Sequence, residues 1–483
     1  MPEKFDVIII GGGLAGLVCG AKLSHEGRSV LVVEQHHVAG GCATTFRHKD
    51  FNIEVGLHEM DGFDGGNLKN KIFRELGVFE ELEFPQPGSF YRFIHGNREM
   101  EVPHSLQEAQ ELFTTCFPEE AGGIATYYDR LRNFRKYRSN DREEPKTLGL
   151  FLDSIISDEE LKLALCGNLM AFSDDPYDIT LDYFAQAQGS FHLSGGVFVR
   201  NGSQQLSDYF VNYIISHHGN VKLSCRVDKI VMEKKRATGI LYHNLSDASS
   251  TVFAQADYIV VNTSVLNVAN ELLSHQEMKK QYGRNEIGPS LYTLYLCFDK
   301  SLKESGTRSY CNCFFPDHIK RISDIGKTNH GRFEDKYFVL TDYSHIDSGL
   351  APAGKSVAVA VCIDHASYWR SLSPEDYKKE KERVARLFIQ RMENYLPGFS
   401  SHLIYYDSAT PLTIERYTLN PEGAIYGFAQ RPGKVTVPVN SFIPNLFMAS
   451  AWDKFGGGFS GVIYSGYFTG IDIMRQQRAF HSK

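Results

Sequence analysis

Close to the N-terminus the spacing of apolar residues changes twice. Phe5 to Ile10 is an apolar run broken only by Asp6, as a buried strand requires, and it stops at Gly11-Gly12-Gly13. Apolar residues then recur at Leu14, Leu17, Val18, Ala21 and Leu23, the spacing of one helical face, and Gly27 closes the segment. A second run, Val30 to Val33, ends at Glu34. The pattern predicts strand, glycine turn, helix and strand, with an acid at the second strand's tip.

Gly11-x-Gly13-x-x-Gly16 falls where that turn enters the helix, the layout of a βαβ unit that binds an adenine dinucleotide. Gly11 permits the tight turn, Gly13 lets a pyrophosphate approach the backbone, and Gly16 lets helix and strand pack closely. Amides of the first helical turn, at Leu14 and Ala15, lack acceptors within the helix and share its positive dipole end, which suits phosphate. Glu34, with Gln35 beside it, can accept hydrogen bonds from ribose hydroxyls, and its charge repels a 2′-phosphate.

Further along, a second glycine pair, Gly40-Gly41, precedes Cys42; binding NAD does not need it, whereas large flavoproteins use such a pair to wrap the ribityl and pyrophosphate of FAD. A short strand from Phe51 leads into Gly56-Leu57-His58-Glu59, a turn expected beside the flavin ring. Residues 68–195 read as mostly helical, with capping boxes at Ser105 and Ser157. Basic and aromatic residues interleave from Tyr127 to Arg138, as on a helix in a membrane interface or on a solvated helix with aromatics tucked into the core; the second reading is preferred. From Gly195 a helix (Gln204 to His217) and a short meander lead to Asn262, and this meander would lay the backbone of Val227 on the adenine. Between Ser290 and Tyr417, strands with one charged helix, Pro374 to Leu396, read as an inserted α+β unit.

The tail repeats the glycine pattern at Gly456-x-Gly458-x-x-Gly461. Only 22 residues follow Gly461 (483 − 461), too few for a second strand and ribose acid. The expectation is instead a helix from Val462 to Met474 whose N-terminus, at Gly457, Gly458 and Val462, faces the flavin and favours negative charge at its N1–C2=O edge, with Asp453 reaching the ribityl or pyrophosphate.

Composition narrows the function. A chain of 483 residues exceeds one ordinary core, so two or three domains are expected. Its charge, 51 − 58 = −7, gives no reason to expect a nucleic-acid partner. No apolar stretch approaches the roughly 20 residues of a membrane span, and the first strand leaves no room for a signal peptide. Nine scattered cysteines suggest reduced thiols in a reducing, cytoplasmic setting. No Cys or His spacing suggests a metal site, and His36-His37 and His217-His218 read as surface pairs.

Together these segments resemble the flavoproteins that include phytoene desaturases, carotenoid isomerases and retinol saturases, and more distantly the monoamine oxidases. Ala409 to Tyr417 and Gly423 to Gly427 look like that family's segment before its last nucleotide-binding piece. Carotenoid desaturases usually carry Arg after the glycine pair, where this chain has Cys42, so the resemblance leans to the saturase and isomerase branch. It implies an α/β fold: a discontinuous Rossmann-like FAD-binding domain (1–85, 197–270 and 430–483) with an interleaved α+β substrate domain (86–196 and 271–429). The implied activity is FAD-dependent reduction, isomerisation or desaturation of carbon–carbon double bonds in a long polyene or isoprenoid. It also implies a lipophilic small-molecule substrate, a quinone, oxygen or reductase as electron partner, and peripheral membrane contact. His58 and Glu59, with Tyr417 behind them, are the candidate proton donors. Two rivals stay open: a flavin amine oxidase, and a flavin-free prenyl-protein escort of the GDP-dissociation-inhibitor type.

Overall fold

The computed structural model describes residues 3–64, 66–137 and 146–481. Strand β1 (Glu3–Ile10), helix α1 (Leu14–His25) and strand β2 (Val30–Val33) form the expected opening unit, and β1 pairs in parallel with β2, Val7 opposite Val30 and Ile10 opposite Val33. Both faces of this sheet are covered. Val7, Ile9, Val30 and Val32 pack with α1, whereas Ile8, Ile10, Leu31 and Val33 enter a second apolar cluster on the other side. That is why the runs are continuous rather than alternating.

Asp247–Val261 is a long strand with two roles. Its first half pairs antiparallel with Arg236–Asn244, and its second half runs parallel to β1, with Val261 opposite Ile10. Leu446–Met448 joins its far side in parallel, so the tail closes the same seven-stranded sheet. The tail helix, Phe459–His481, lies along α1, and a Cβ at Gly466 would overlap the Ala15 carbonyl. The helix starts three residues before the expected Val462, so Gly461 and Val462 lie inside its first turn, and Val462 N–H donates to the Gly458 carbonyl at 3.1 Å.

A second seven-stranded sheet has the order Leu403–Ala409, Ser290–Phe298, Ser356–Asp364, Phe338–Asp342, Cys311–Phe315, Tyr91–His95, Arg98–Val102. Here side chains do alternate. Tyr292, Leu294, Phe338, Leu340 and Cys362 pack with Trp369, Val384 and Phe388 beneath helix Pro374–Tyr395. Leu291, Thr293, Tyr295, Val339, Thr341 and Val361 face a cavity on the opposite side.

Residues 68–195 are mostly helical as expected, and among the described residues the hairpin Tyr91–Val102 is the exception. Its strands are short, and Tyr91–His95 gains its place by pairing in parallel with Cys311–Phe315, a partner the local sequence does not announce. Two caps differ in kind. Ser105 Oγ accepts from Glu108 N at 3.3 Å as expected, but Asp158, not Ser157, caps the next helix, accepting from Leu161 N at 2.9 Å. In helix Ala121–Arg132, Tyr127, Tyr128 and Leu131 are buried, in keeping with aromatics in the core; Arg138 lies outside the described residues. Each of the nine cysteines is a free thiol. Among the described residues no helix is long and apolar enough to cross a membrane.

Candidate active site

One continuous cavity of about 1440 Å³ runs between the two sheets. Ligand pockets usually span about 300–1,000 Å³, so this one has room for a dinucleotide and a second occupant.

Its nucleotide-like end is built around Asn262, at the tip of the long strand. Asn262 N–H donates to the Ile10 carbonyl at 2.7 Å and its Nδ2 to the Ala449 carbonyl at 2.6 Å, tying β1, its neighbour and the tail together. The glycines make way for this residue. A Cβ at Gly11, where φ is +100°, would sit 2.5 Å from the Asn262 carbonyl oxygen, and one at Gly13 would sit 2.7 Å from its Oδ1. Gly16 is off the cavity wall, and its missing Cβ clears the Gly11 carbonyl at 2.6 Å, the close packing expected of it.

Gly13 caps α1 without a side-chain hydrogen bond, so first-turn amides at Leu14 and Ala15 open onto the cavity. Gly457, Gly458 and Val462, at the start of the tail helix, line the same space, as do Gly40, Gly41 and Cys42. Two helix beginnings therefore face one void, a strongly anion-favouring arrangement. Burial raises the Cys42 thiol to about 11, which keeps it protonated and uncharged at neutral pH.

Glu34 accepts from Gly12 N at 2.6 Å and from His36 N at 2.7 Å, which fixes its carboxylate at the cavity wall beside Gln35. Burial raises its pKa against the pull of those amides. His36 is no plain surface residue, for it lines the cavity and packs edge-on against Tyr417, ring centroids 5.5 Å apart. Val227 lines the wall where the strand register slips between Val227 and Lys229, a bulge that leaves backbone unpaired for a ligand.

Three expected positions fall elsewhere. Tyr417 is 52% exposed beside His36, so it sits at the Glu34 end of the cavity rather than behind His58 and Glu59. Asp453 is not on the wall; its carboxylate accepts from Ser465 Oγ at 3.1 Å inside the tail segment. Leu57 is buried, and its amide donates to Glu54 Oε1 at 2.9 Å.

Glu54 is a residue the sequence reading passed over. Fully buried, it accepts from the amides of Gly56 (3.1 Å), Leu57 (2.9 Å) and Ser203 (2.7 Å) and from Ser203 Oγ (2.7 Å), and so holds the Gly56–Glu59 turn against helix Gln204–Ser216.

On that turn His58 and Glu59 both line the cavity, but not as equivalent acids. Burial lowers the His58 pKa to about 4, so its ring is neutral at pH 7. The single hydroxyl proton of Tyr343 goes to the Leu57 carbonyl at 2.8 Å, so His58 Nδ1–H is the donor in its 3.3 Å contact with Tyr343. His58 Nε2 is then a proton acceptor, which corrects its reading as a donor. Burial raises the pKa of Glu59, opposed by His104, whose Nε2 is paired with Glu59 Oε1. This pair is the better proton source.

Next on the wall is a closed polar network. Asp61 Oδ2 accepts from Asn67 Nδ2 at 2.7 Å and Ser190 Oγ at 2.5 Å, while its Oδ1 accepts from Lys69 Nζ at 2.9 Å and from Ser460 Oγ. Lys69 also donates to Ser460 Oγ at 2.8 Å and to the Asp61 carbonyl. Burial works to raise the Asp61 pKa, but Lys69, Ser190 and Ser460 together hold it below the usual carboxylate range.

Beyond this network the walls turn apolar, with Phe90, Phe134, Met170, Phe172, Phe191 and Tyr295 among the lining residues.

A family model described as flavin containing amine oxidoreductase matches residues 14–469. The chain belongs to this family. It is accordingly a flavin-dependent oxidoreductase with the flavin amine oxidase-like fold. Prolycopene isomerase from Daucus carota is 24% identical over 504 residues, covering 96% of this chain and 79% of that protein. All-trans-retinol 13,14-reductase from Danio rerio is 19% identical over 538 residues, covering 99% and 87%. Among solved structures, an oxidoreductase from Methanosarcina mazei superposes with a TM-score of 0.69 at 18% identity, covering 97% of this chain and all of that one.

Proposed function

We propose that the protein binds FAD and acts on the carbon–carbon double bonds of a long apolar polyene, by reduction or isomerisation. One observation carries this reading: a single cavity of about 1440 Å³ is lined by the strand-tip acid Glu34, by the beginnings of two helices and by a group of aromatic side chains, and as a whole it exceeds what one cofactor fills. The relatives named as a prolycopene isomerase and a retinol reductase span nearly the whole chain, which supports the same substrate class.

In this reading Glu34 holds the adenosine ribose, the amides at Leu14 and Ala15 take the pyrophosphate, and the Gly56–Glu59 turn borders the flavin ring. FAD, when bound, supplies hydride transfer. The chain's own residues orient the polyene along Tyr295, Phe172 and Phe191 and keep water out. The Glu59–His104 pair offers a proton to the carbon skeleton, and neutral His58 accepts one. An insoluble substrate of this kind fits peripheral contact with a bilayer.

Substituting Glu34 by Ala removes ribose contacts and strands the Gly12 amide, so FAD binding is expected to weaken by about 1–3 kcal/mol, read by flavin fluorescence titration. An unchanged FAD dissociation constant would remove Glu34 from the site. The substrate class is tested by incubating the flavin-reduced protein anaerobically with retinoids and carotenes and separating the products by chromatography. A saturated product or a geometric isomer is expected. Unchanged polyenes, together with reduction of the oxidised flavin by a primary amine, would overturn the proposal in favour of an amine oxidase.

A further inference from the structure

Asp174, His330 and His365 lie off the cavity wall, and nothing in the proposed chemistry uses them. We propose that these three side chains form a binding site for a divalent transition-metal ion of the zinc type. One ligand atom from each lies within 4.8 Å of the others; binding zinc at roughly 2.0–2.2 Å requires the His330 ring to swing out of its stack on His365, a movement its 57% exposure permits.

One polar group there has no partner among the described residues, and another is held only by long contacts. Asp174 is 7% exposed, yet apart from its own amide its carboxylate meets only long contacts, the Ser173 hydroxyl at 3.5 Å and His330 Nε2 at 3.5 Å. A carboxylate so far from water ordinarily has short, charge-assisted bonds. His365 Nε2 is also buried and has no hydrogen-bond partner among the described residues. Its ring stacks on that of His330, centroids 4.1 Å apart and planes 12° from parallel. A long-bonded anion and an unused ring nitrogen around one spot complement a cation.

The backbone already holds the three in place. Asn329, next to His330, donates its side-chain amide to the Asp174 carbonyl at 2.6 Å. Asp364, next to His365, accepts from Lys336 Nζ at 3.0 Å and Trp369 Nε1 at 2.6 Å, which also pairs Lys336 with an anion of its own. These bonds set the backbone positions from which the three side chains reach the ion.

The donor set selects the ion. Two imidazoles and a carboxylate suit zinc and its late first-row neighbours, whereas calcium and magnesium prefer oxygen alone. The His330 side chain is 57% exposed, which leaves an entry path and a fourth position for water. The ion would clip the loop before helix Leu181–Ser194 to the end of helix Ser323–Asn329 and to the end of strand Ser356–Asp364.

The test uses the purified 483-residue protein, stripped with a chelator, titrated with zinc and desalted, with zinc and flavin then quantified per chain. Retention of one zinc per chain is expected. His330→Ala, tolerable because that side chain is exposed, and Asp174→Asn should each weaken zinc binding by more than about tenfold while flavin content stays unchanged. No zinc retained by the wild type would overturn the proposal. So would a His330→Ala/His365→Ala protein that keeps the wild-type amount, for the metal would then sit elsewhere, such as on the exposed thiol of Cys116.

Discussion

Lys69→Met is expected to destabilise the protein by about 3–5 kcal/mol, the usual result of leaving one member of a buried ion pair alone. Lys69 is fully buried and Asp61 nearly so, at 4% exposure. The variant removes three hydrogen bonds at once, to Asp61 Oδ1, to the Asp61 carbonyl and to Ser460 Oγ. It also leaves a carboxylate charge at the cavity wall with only neutral donors. Asp61→Asn/Lys69→Met should recover most of the loss, because two neutral groups of similar volume carry no uncompensated charge. Urea midpoints of the three proteins decide it. A single variant that unfolds at the wild-type midpoint would mean that water reaches this network. Flavin retention should fall along with stability, since Ser460 stands in the first turn of the tail helix.

Acid should destabilise the fold between pH 6.5 and 4, with His192 as a main cause. His192 is 6% exposed, its Nδ1–H donates to the His104 carbonyl at 2.9 Å, and burial lowers its pKa from 6.5 to about 4. An unfolded chain takes up this proton below pH 6.5, whereas the folded chain refuses it until about pH 4. In that window the unfolded state binds more protons, so stability is complete above it and falls as pH falls. The gap, 6.5 − 4 = 2.5, amounts to about 3 kcal/mol at about 1.36 kcal/mol for each. His192→Gln keeps a donor for the His104 carbonyl and cannot titrate, so its denaturant midpoint should drop less between pH 7 and pH 4.5. Identical acid profiles for the two proteins would show that the folded state accepts the proton on His192.

What could be read directly from the chain was local. Strand β1, its glycine turn, α1 and β2 follow from side-chain spacing over a short stretch, since burial on both sheet faces demands unbroken apolar runs and a helix demands its own period. The tail helix was legible for the same reason, although its start was set by Gly458 rather than Val462. Proton roles were not legible. His58 and Glu59 stand side by side in the turn, yet Tyr343 and His104, from distant segments, make one a base and the other half of a buried pair.

Most of the site's electrostatics came from such meetings. Asp61 bonds Ser460 across 399 positions, and Glu54 bonds Ser203 across 149. The hairpin Tyr91–Val102 entered a sheet whose other strands begin at Ser290, and Asp174 met two histidines far along the chain. The amino-acid sequence by itself determined the strand–turn–helix–strand opening and the flavin family, because backbone turns, helix starts and a strand-tip acid are encoded by neighbours. Only the tertiary structure decided which polar groups share a buried space, because periodicity says that a face is apolar and never which other face will cover it.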